Sequence, residues 1–330
     1  MQLRTAANNI RVNSSRTALR SGGVLVFLLL AALAAAALVG SERLSLFDLS
    51  EEQRAILFDI RLPRILLGAA VGASLAVAGA GLQSLLRNPL AEPYLLGVSN
   101  GAALGTMLAF IFFEQFEFSR PLMAFCGASL ATFTVYQMAK SRSGMNVERL
   151  VLSGVIVTTF LSSIIVLVTS LLDATKLRSF TFWLLGDLSQ ATLNGFYISS
   201  IVGIIGTIVM TSQAKALNLM MIGERDAGDF GVEVRRVRLL VFGAASAMVG
   251  TAVAASGSVG YVGLIVPHLI RLAFGSDNRL VVPFSAIAGA IFVVLADTVA
   301  RIAISPRELP VGAITALIGA PLFIYLLRKS

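Results

Sequence analysis

Leu62-Pro63-Arg64-Ile65-Leu66-Leu67-Gly68-Ala69-Ala70-Val71-Gly72-Ala73-Ser74-Leu75-Ala76-Val77-Ala78-Gly79-Ala80-Gly81-Leu82-Gln83-Ser84-Leu85-Leu86 is the stretch that decides the fold class. After Arg64 it contains no charged side chain, and it is long enough to cross a bilayer core as a helix. Small residues recur along it at Gly68-Ala69-Ala70, Gly72-Ala73-Ser74 and Gly79-Ala80-Gly81. In a membrane such residues let helix backbones approach closely, so a tight bundle is the expectation.

The same texture repeats outward in both directions. Apolar stretches of spanning length fall at 24–40, 62–86, 95–113, 121–139, 149–171, 191–211, 236–256, 258–274, 281–303 and 310–327. Gly260, Gly263 and Pro267 predict that 258–274 is short or broken, which lipid permits only where other helices shield the backbone. Strand alternation of the barrel kind is absent. The whole chain, 1–330, therefore reads as one all-α polytopic transmembrane domain of about ten helices. With 56% hydrophobic and 13% charged residues, no stretch reads as a soluble domain.

Charge sets the expected orientation. Ten crossings with the N-terminus inside put 1–23, 87–94, 140–149, 212–238, 271–280 and 328–330 on the cytoplasmic side, and most of the 26 lysines and arginines lie there. The net charge of +8 is thus read as topology rather than nucleic-acid binding. Both termini are expected in the cytoplasm, with 1–23 a basic tail. The run 24–40 is long for a signal-peptide core and reads as an uncleaved first span. The lone cysteine, Cys126, excludes an intrachain disulfide.

Catalytic constellations are missing. One histidine, His268, makes a metal cluster or a His-dependent triad hard to build, and GxxxxGK[ST] is absent, so ATP is not held through a P-loop. No cofactor is called for. Ion coupling needs titratable groups within the spans, and Asp297 is the main one, placed four residues before Arg301 in the order that favours a helical ion pair. These features speak against an intramembrane enzyme and an ion-coupled secondary transporter.

Two loops stand out. In Asn88-Pro89-Leu90-Ala91-Glu92-Pro93 the two prolines prevent a helix from continuing and predict a stiff turn at the inner face. The longest internal cytoplasmic loop, 212–238, includes Gly223-Glu224-Arg225-Asp226-Ala227-Gly228-Asp229-Phe230-Gly231-Val232 and reads as two short helices that dock on a cytoplasmic partner.

These segments, with Arg61-Leu62-Pro63-Arg64, Gly97-Val98-Ser99-Asn100-Gly101, Gly263-Leu264-Ile265-Val266-Pro267-His268, Ala296-Asp297-Thr298-Val299-Ala300-Arg301 and Glu308-Leu309-Pro310-Val311-Gly312, occur in an order that resembles the FecCD-type permease subunits of ABC importers for iron–siderophore complexes, haem and cobalamin. The resemblance runs from about residue 55 to the end and implies a type II importer permease fold. It implies two copies of this chain, two cytoplasmic ATPase subunits, and a periplasmic or lipid-anchored binding protein at the cytoplasmic (inner) membrane. It places Arg61, Arg64 and Arg301 where cobalamin-type permeases present arginines to glutamates of the binding protein. Glu224, Ala227, Phe230 and Gly231 match the coupling helices that fit a cleft on the ATPase, with Phe230 where leucine is common in the family. Asn88 and Leu90, with Asn146 and Val147, match the cytoplasmic gate.

Overall fold

A computed structural model describes residues 2–40, 50–113, 116, 118–141, 144, 145, 147–305 and 307–329, with 2–18, 95, 96, 141, 144, 145, 147, 327 and 329 described for their backbone alone. The chain is nearly all helix: α1 (Gln2–Leu38), α2 (Glu51–Leu85), α3 (Val98–Phe112), α4 (Ser119–Ala139), α5 (Val147–Thr169), α6 (Ala174–Leu184), α7 (Leu193–Ser212), α8 (Ala214–Ile222), α9 (Glu224–Asp229), α10 (Val234–Ser256), α11 (Val262–Phe274), α12 (Asn278–Ile302) and α13 (Val311–Lys329). A two-residue antiparallel pair, β1 (Lys140–Ser141) with β2 (Gly144–Met145), turns the chain between α4 and α5. Seven helices are long and apolar enough to cross a membrane, and three shorter apolar helices stand at Val98–Phe112, Val262–Phe274 and Val311–Leu326. Together they match the ten spans read from the sequence. In the described part of 1–23 the backbone is helical, and α1 runs unbroken from Gln2 into the first span.

The helix that opened the argument is the hub. Its apolar window is 78% buried, against 17% for α1 and α7 and 22% for α5, so α2 stands inside the bundle and those three at its edge. It packs against α12, α10, α7 and α11. The glycines explain how. A Cβ on Gly72 would lie 2.2 Å from the Gly289 carbonyl oxygen on α12, and one on Gly79 would lie 1.9 Å from that of Gly263 on α11. Backbone meets backbone there, with no room for a methyl group.

Two local features depart from the sequence reading. The second helix does not begin at residue 62. It begins at Glu51, where the Ser50 hydroxyl accepts from Gln53 N at 3.2 Å, and passes through a π-helical segment, Ile56–Arg61, before Pro63. Proline has no N–H for the ordinary ladder, and the wider turn sits where that ladder is interrupted. The third span begins at Val98, because Gly97 is left-handed at φ 74° and starts a new helix. The eleventh helix is short, as its glycines predicted: Gly257 (φ 67°) ends α10, and residues 257–260 are not helical.

Candidate functional site

Arg61, Arg64 and Arg301 come together at one end of the bundle, with Asp297 and Glu308. Arg64 Nε donates to both Asp297 oxygens at 3.0 and 3.1 Å, and Arg64 Nη1 meets Glu308 Oε2 at 2.6 Å. Arg301 Nε lies 3.2 Å from the other side of Asp297, the helical pair expected from their spacing. Arg301 Nη2 also donates to the Ala36 carbonyl at 3.0 Å, and Arg61 Nη1 to the Ala37 carbonyl at 3.1 Å. Two guanidiniums therefore hold the last carbonyls of α1, where the helix leaves them unpaired and carries partial negative charge.

The arginines share an end but do not project from it. Arg61, Arg64 and Arg301 are 5%, 6% and 4% exposed, and Asp297 is 2% exposed. Arg61 and Arg301 lie against the end of α1, and Arg64 is held by Asp297 and Glu308, so the three lie inside the bundle rather than crowning it.

At the opposite end lie α8, α9 and the loop 86–97. The expected pair of short helices is present, broken at Gly223. Ala227 is buried against the protein, while Phe230, one turn on, is 75% exposed. Gly231 then reverses the chain at φ 81°. Glu224 Oε1 accepts from Arg87 Nη2 at 3.3 Å and also from Arg238 on α10, while the side chain stays partly exposed. Asn88 forms a tight turn, its Oδ1 accepting from Leu90 N at 2.9 Å, with Leu90 exposed. Asn146 lies outside the described residues, and Val147 is described only as the first residue of α5.

A buried polar joint ties α8 to the bundle. Asn278, fully buried, donates from Nδ2 to Asn218 Oδ1 at 2.9 Å and accepts from Ser84 Oγ at 2.8 Å and Arg271 Nη2 at 3.1 Å. Asn218 Nδ2 donates to Asp277 at 2.7 Å. The Arg279 guanidinium beside Asp277 holds its carboxyl down at about 2, so the acceptor stays ionised at neutral pH.

The loop 86–97 is more than a turn at one face. It climbs beside α11: Gly263 touches Pro93 and the backbone of α2 at Gly79, six residues and roughly 9 Å before the end of that helix. Glu92 accepts from Tyr261 N at 3.0 Å, the Tyr94 hydroxyl both donates to Val259 O and accepts from Val259 N at 3.0 Å, and Ser99 meets Ser258 at 3.1 Å. Above this clasp is a cavity of about 310 Å³ lined by Glu92, Tyr94, Ser99, Asn100, Val155, Thr158 and Thr159. Sequence reasoning quoted the loop residues without assigning them to a cavity. The available signal was the run of hydroxyls Thr158, Thr159, Ser162 and Ser163 on an otherwise apolar span. Among the described residues no group of His, Cys, Asp and Glu could hold a metal ion.

Comparison with known proteins matches this geometry to a family. The model described as the FecCD transport family matches residues 24–329. The chain is 43% identical over 285 residues to the cobalamin import system permease protein BtuC of Halobacterium salinarum, covering 86% of this chain and 76% of that one. It is 37% identical over 280 residues to the hemin transport system permease protein HmuU of Yersinia pestis, covering 83% and 84%. A solved metal-chelate type ABC transporter in an inward-facing conformation superposes with a TM-score of 0.86 at 32% identity, covering 94% of this chain and 99% of that one.

Proposed function

This chain belongs to the FecCD transport family, and on that premise we propose that it is the membrane-spanning permease of an ATP-driven importer whose cargo is a metal chelate: an iron–siderophore complex, haem or cobalamin. It is a multi-pass membrane protein and a permease subunit of an ABC importer, so its energy comes from a separate ATPase subunit and its cargo from a substrate-binding protein. The observation that carries the reading in this chain is Phe230, a large apolar side chain 75% exposed at the tip of a two-helix loop that is otherwise anchored by Ala227 and the Asn218 joint. An exposed phenylalanine on an anchored element suits a cleft on a partner. We place the loop 212–238 and both termini in the cytoplasm, with α8 and α9 as coupling helices.

Two copies of this chain are proposed to form the pathway. The cavity at Glu92, Tyr94 and Thr158 lies between α3, α5 and the loop 86–97, and α5 is a bundle-edge helix that a second copy would cover. Asn88 and Leu90, together with Asn146 and Val147, would gate it on the cytoplasmic side. The binding protein would dock at the arginine end. There Arg61, Arg64 and Arg301 fix the ends of α1, α2 and α12, and part-exposed Glu308 marks the rim. An ion-coupled mechanism is not favoured, because Asp297 is held between two arginines.

The test is reconstitution. The permease, co-expressed with a candidate ATPase subunit and its binding protein, is placed in liposomes and offered labelled cobalamin, haemin or a ferric siderophore. ATP-dependent uptake of one of these supports the reading. Uptake driven by an ion gradient without ATP would overturn it.

A further inference from the structure

We propose that Arg87 is a positioning residue that links the coupling helix to the gate: through Glu224 it passes movement of α9 to the loop carrying Asn88 and Leu90. The proposal rests on the coupling and gating roles given above and adds the physical connection between them.

The connection is built from three elements that are distant in the chain. Glu224 opens α9, Arg87 follows the end of α2, and Arg238 lies on α10. One carboxylate oxygen, Glu224 Oε1, takes both guanidiniums, with Arg87 Nη2 at 3.3 Å. Charge-assisted bonds of this kind are directional, so the oxygen fixes where Arg87 points. Arg87 has a left-handed backbone at φ 48°, a conformation that disfavours side chains with a Cβ. An arginine in place of glycine there is accounted for by what its side chain reaches.

Beyond Arg87 the loop is braced. Asn88 N donates to Gln83 O at 3.1 Å, Ala91 N to Asn88 O at 3.1 Å and Leu90 N to Asn88 Oδ1 at 2.9 Å. The far end is clasped by Glu92 and Tyr94 to residues 259–261. A segment held at one end and braced along its length pivots about that end when the other is pulled. A displacement of α9 therefore reaches Asn88 and Leu90 through Arg87, while the Tyr94 clasp serves as the fixed end. The Arg87 and Glu224 side chains are 44% and 31% exposed, and a solvated pair contributes little to stability. Its effect is expected in coupling rather than in folding.

The experiment is a double-mutant cycle in the reconstituted complex of permease, ATPase subunit and binding protein. Arg87→Gln, Glu224→Gln and the double variant are compared for ATP hydrolysed per cargo imported, for ATPase-subunit retention and for thermal unfolding. We expect each single variant to raise the ATP-to-cargo ratio about fivefold or more. The double should be no worse than Glu224→Gln alone, because that variant already removes the charge Arg87 pairs with, along with the charge facing Arg238. Retention and unfolding temperature should stay at wild-type values. Effects that multiply in the double, or a ratio unchanged in all three, would overturn the proposal. So would loss of the ATPase subunit in Glu224→Gln alone, which would make Glu224 a partner contact. Phe230→Ala in the same preparation separates this from the docking reading. Loss of the ATPase subunit there supports docking whatever the cycle shows; retention overturns docking, and the cycle still decides the link.

Discussion

Arg64 and Arg87 flank the body of α2, and their side chains live in different solvents. Arg64 is 7% exposed and faces Asp297, itself 3% exposed, at 2.9 Å. Arg87 is 44% exposed and faces Glu224, 31% exposed, at 3.3 Å. The first pair is part of the packing: it joins α2 to α12, and Glu308 and Arg301 complete it. The second is open to water and to whatever binds that end. Coulomb attraction is similar in kind at both sites, but the cost of leaving one charge behind is not. A buried charge without its partner has no water to turn to, whereas an exposed one resolvates. A charge pair at one end is therefore costly to open, and the pair at the other end is cheap to open.

The largest effect expected from this contrast is at Asp297. Asp297→Ala leaves two buried guanidiniums, Arg64 and Arg301, around a missing carboxylate. Breaking a buried pair in this way costs about 3–5 kcal/mol. Thermal unfolding of the detergent-purified permease should fall sharply, together with the yield of monodisperse protein. Arg87→Ala, the loss at the exposed end, leaves Glu224 paired with Arg238 and should stay within about 0.5 kcal/mol of wild type. Equal unfolding temperatures for the two variants would break the comparison. The same reasoning bears on charge reversal at Arg64. Glutamate there would face Asp297 and Glu308, so that variant tests folding before it tests binding-protein docking. Arg61, bonded to the Ala37 carbonyl at the end of α1, is the gentler probe of docking.

Phe230→Ala comes next and sharpens the contrast by acting on assembly alone. The side chain is 75% exposed, so its removal leaves no cavity in the permease. If it fills a cleft on the ATPase subunit, its loss weakens that association by about 1.5–3 kcal/mol. Titration of the ATPase subunit against the permease in nanodiscs would read this as roughly ten- to a hundredfold in Kd. The permease alone should melt as wild type does. A lowered melting temperature with unchanged affinity would place Phe230 in the permease's own packing and reverse its assignment.

How much of this was legible in the sequence follows from what each feature depends on. Spans were legible because hydropathy is a local property, and the break before α11 because Gly257, Gly260 and Gly263 interrupt it. The Asp297–Arg301 pair was legible as a helical spacing. The two short helices of 212–238 were legible from glycine punctuation. Burial of the arginines was not, since it depends on Arg64 meeting Glu308 across 244 positions and on Arg61 and Arg301 meeting the end of α1. The pairing of Arg87 with Glu224, 137 positions apart, is likewise a tertiary fact. Glu92 was read as part of a turn because prolines report where a helix stops, not where the loop then goes. Its climb to Tyr261 is set by close backbone packing at Gly79 and Gly263, which a single sequence shows only as two glycines.

The smallest effects distinguish two glycines three residues apart in the loop 212–238, and they should have opposite signs. Neither Gly228 nor Gly231 has any atom within 4 Å of the place a Cβ would occupy, so sterics with neighbours cannot separate them. Backbone conformation does. Gly228 lies inside α9, where alanine is the better helix former and restricts the unfolded chain, so Gly228→Ala should stabilise by about 0.4–1 kcal/mol. Gly231 stands at φ 81°, in the left-handed region that penalises a Cβ by about 1–2 kcal/mol. Gly231→Ala should therefore destabilise, and the strain falls on the residue that turns the chain just after Phe230. The loop can relieve it by rotating φ back to negative values, which would re-aim Phe230 without disturbing the Asp297 cluster at the other end. The expected result is a slightly raised or unchanged ATPase affinity for Gly228→Ala and a reduced one for Gly231→Ala. Limited proteolysis of the loop should run in the same order, slower for the first and faster for the second. If Gly231→Ala proves as harmless as Gly228→Ala on both counts, the left-handed turn is not what aims Phe230, and the loop end must be held by its partner rather than by its own backbone.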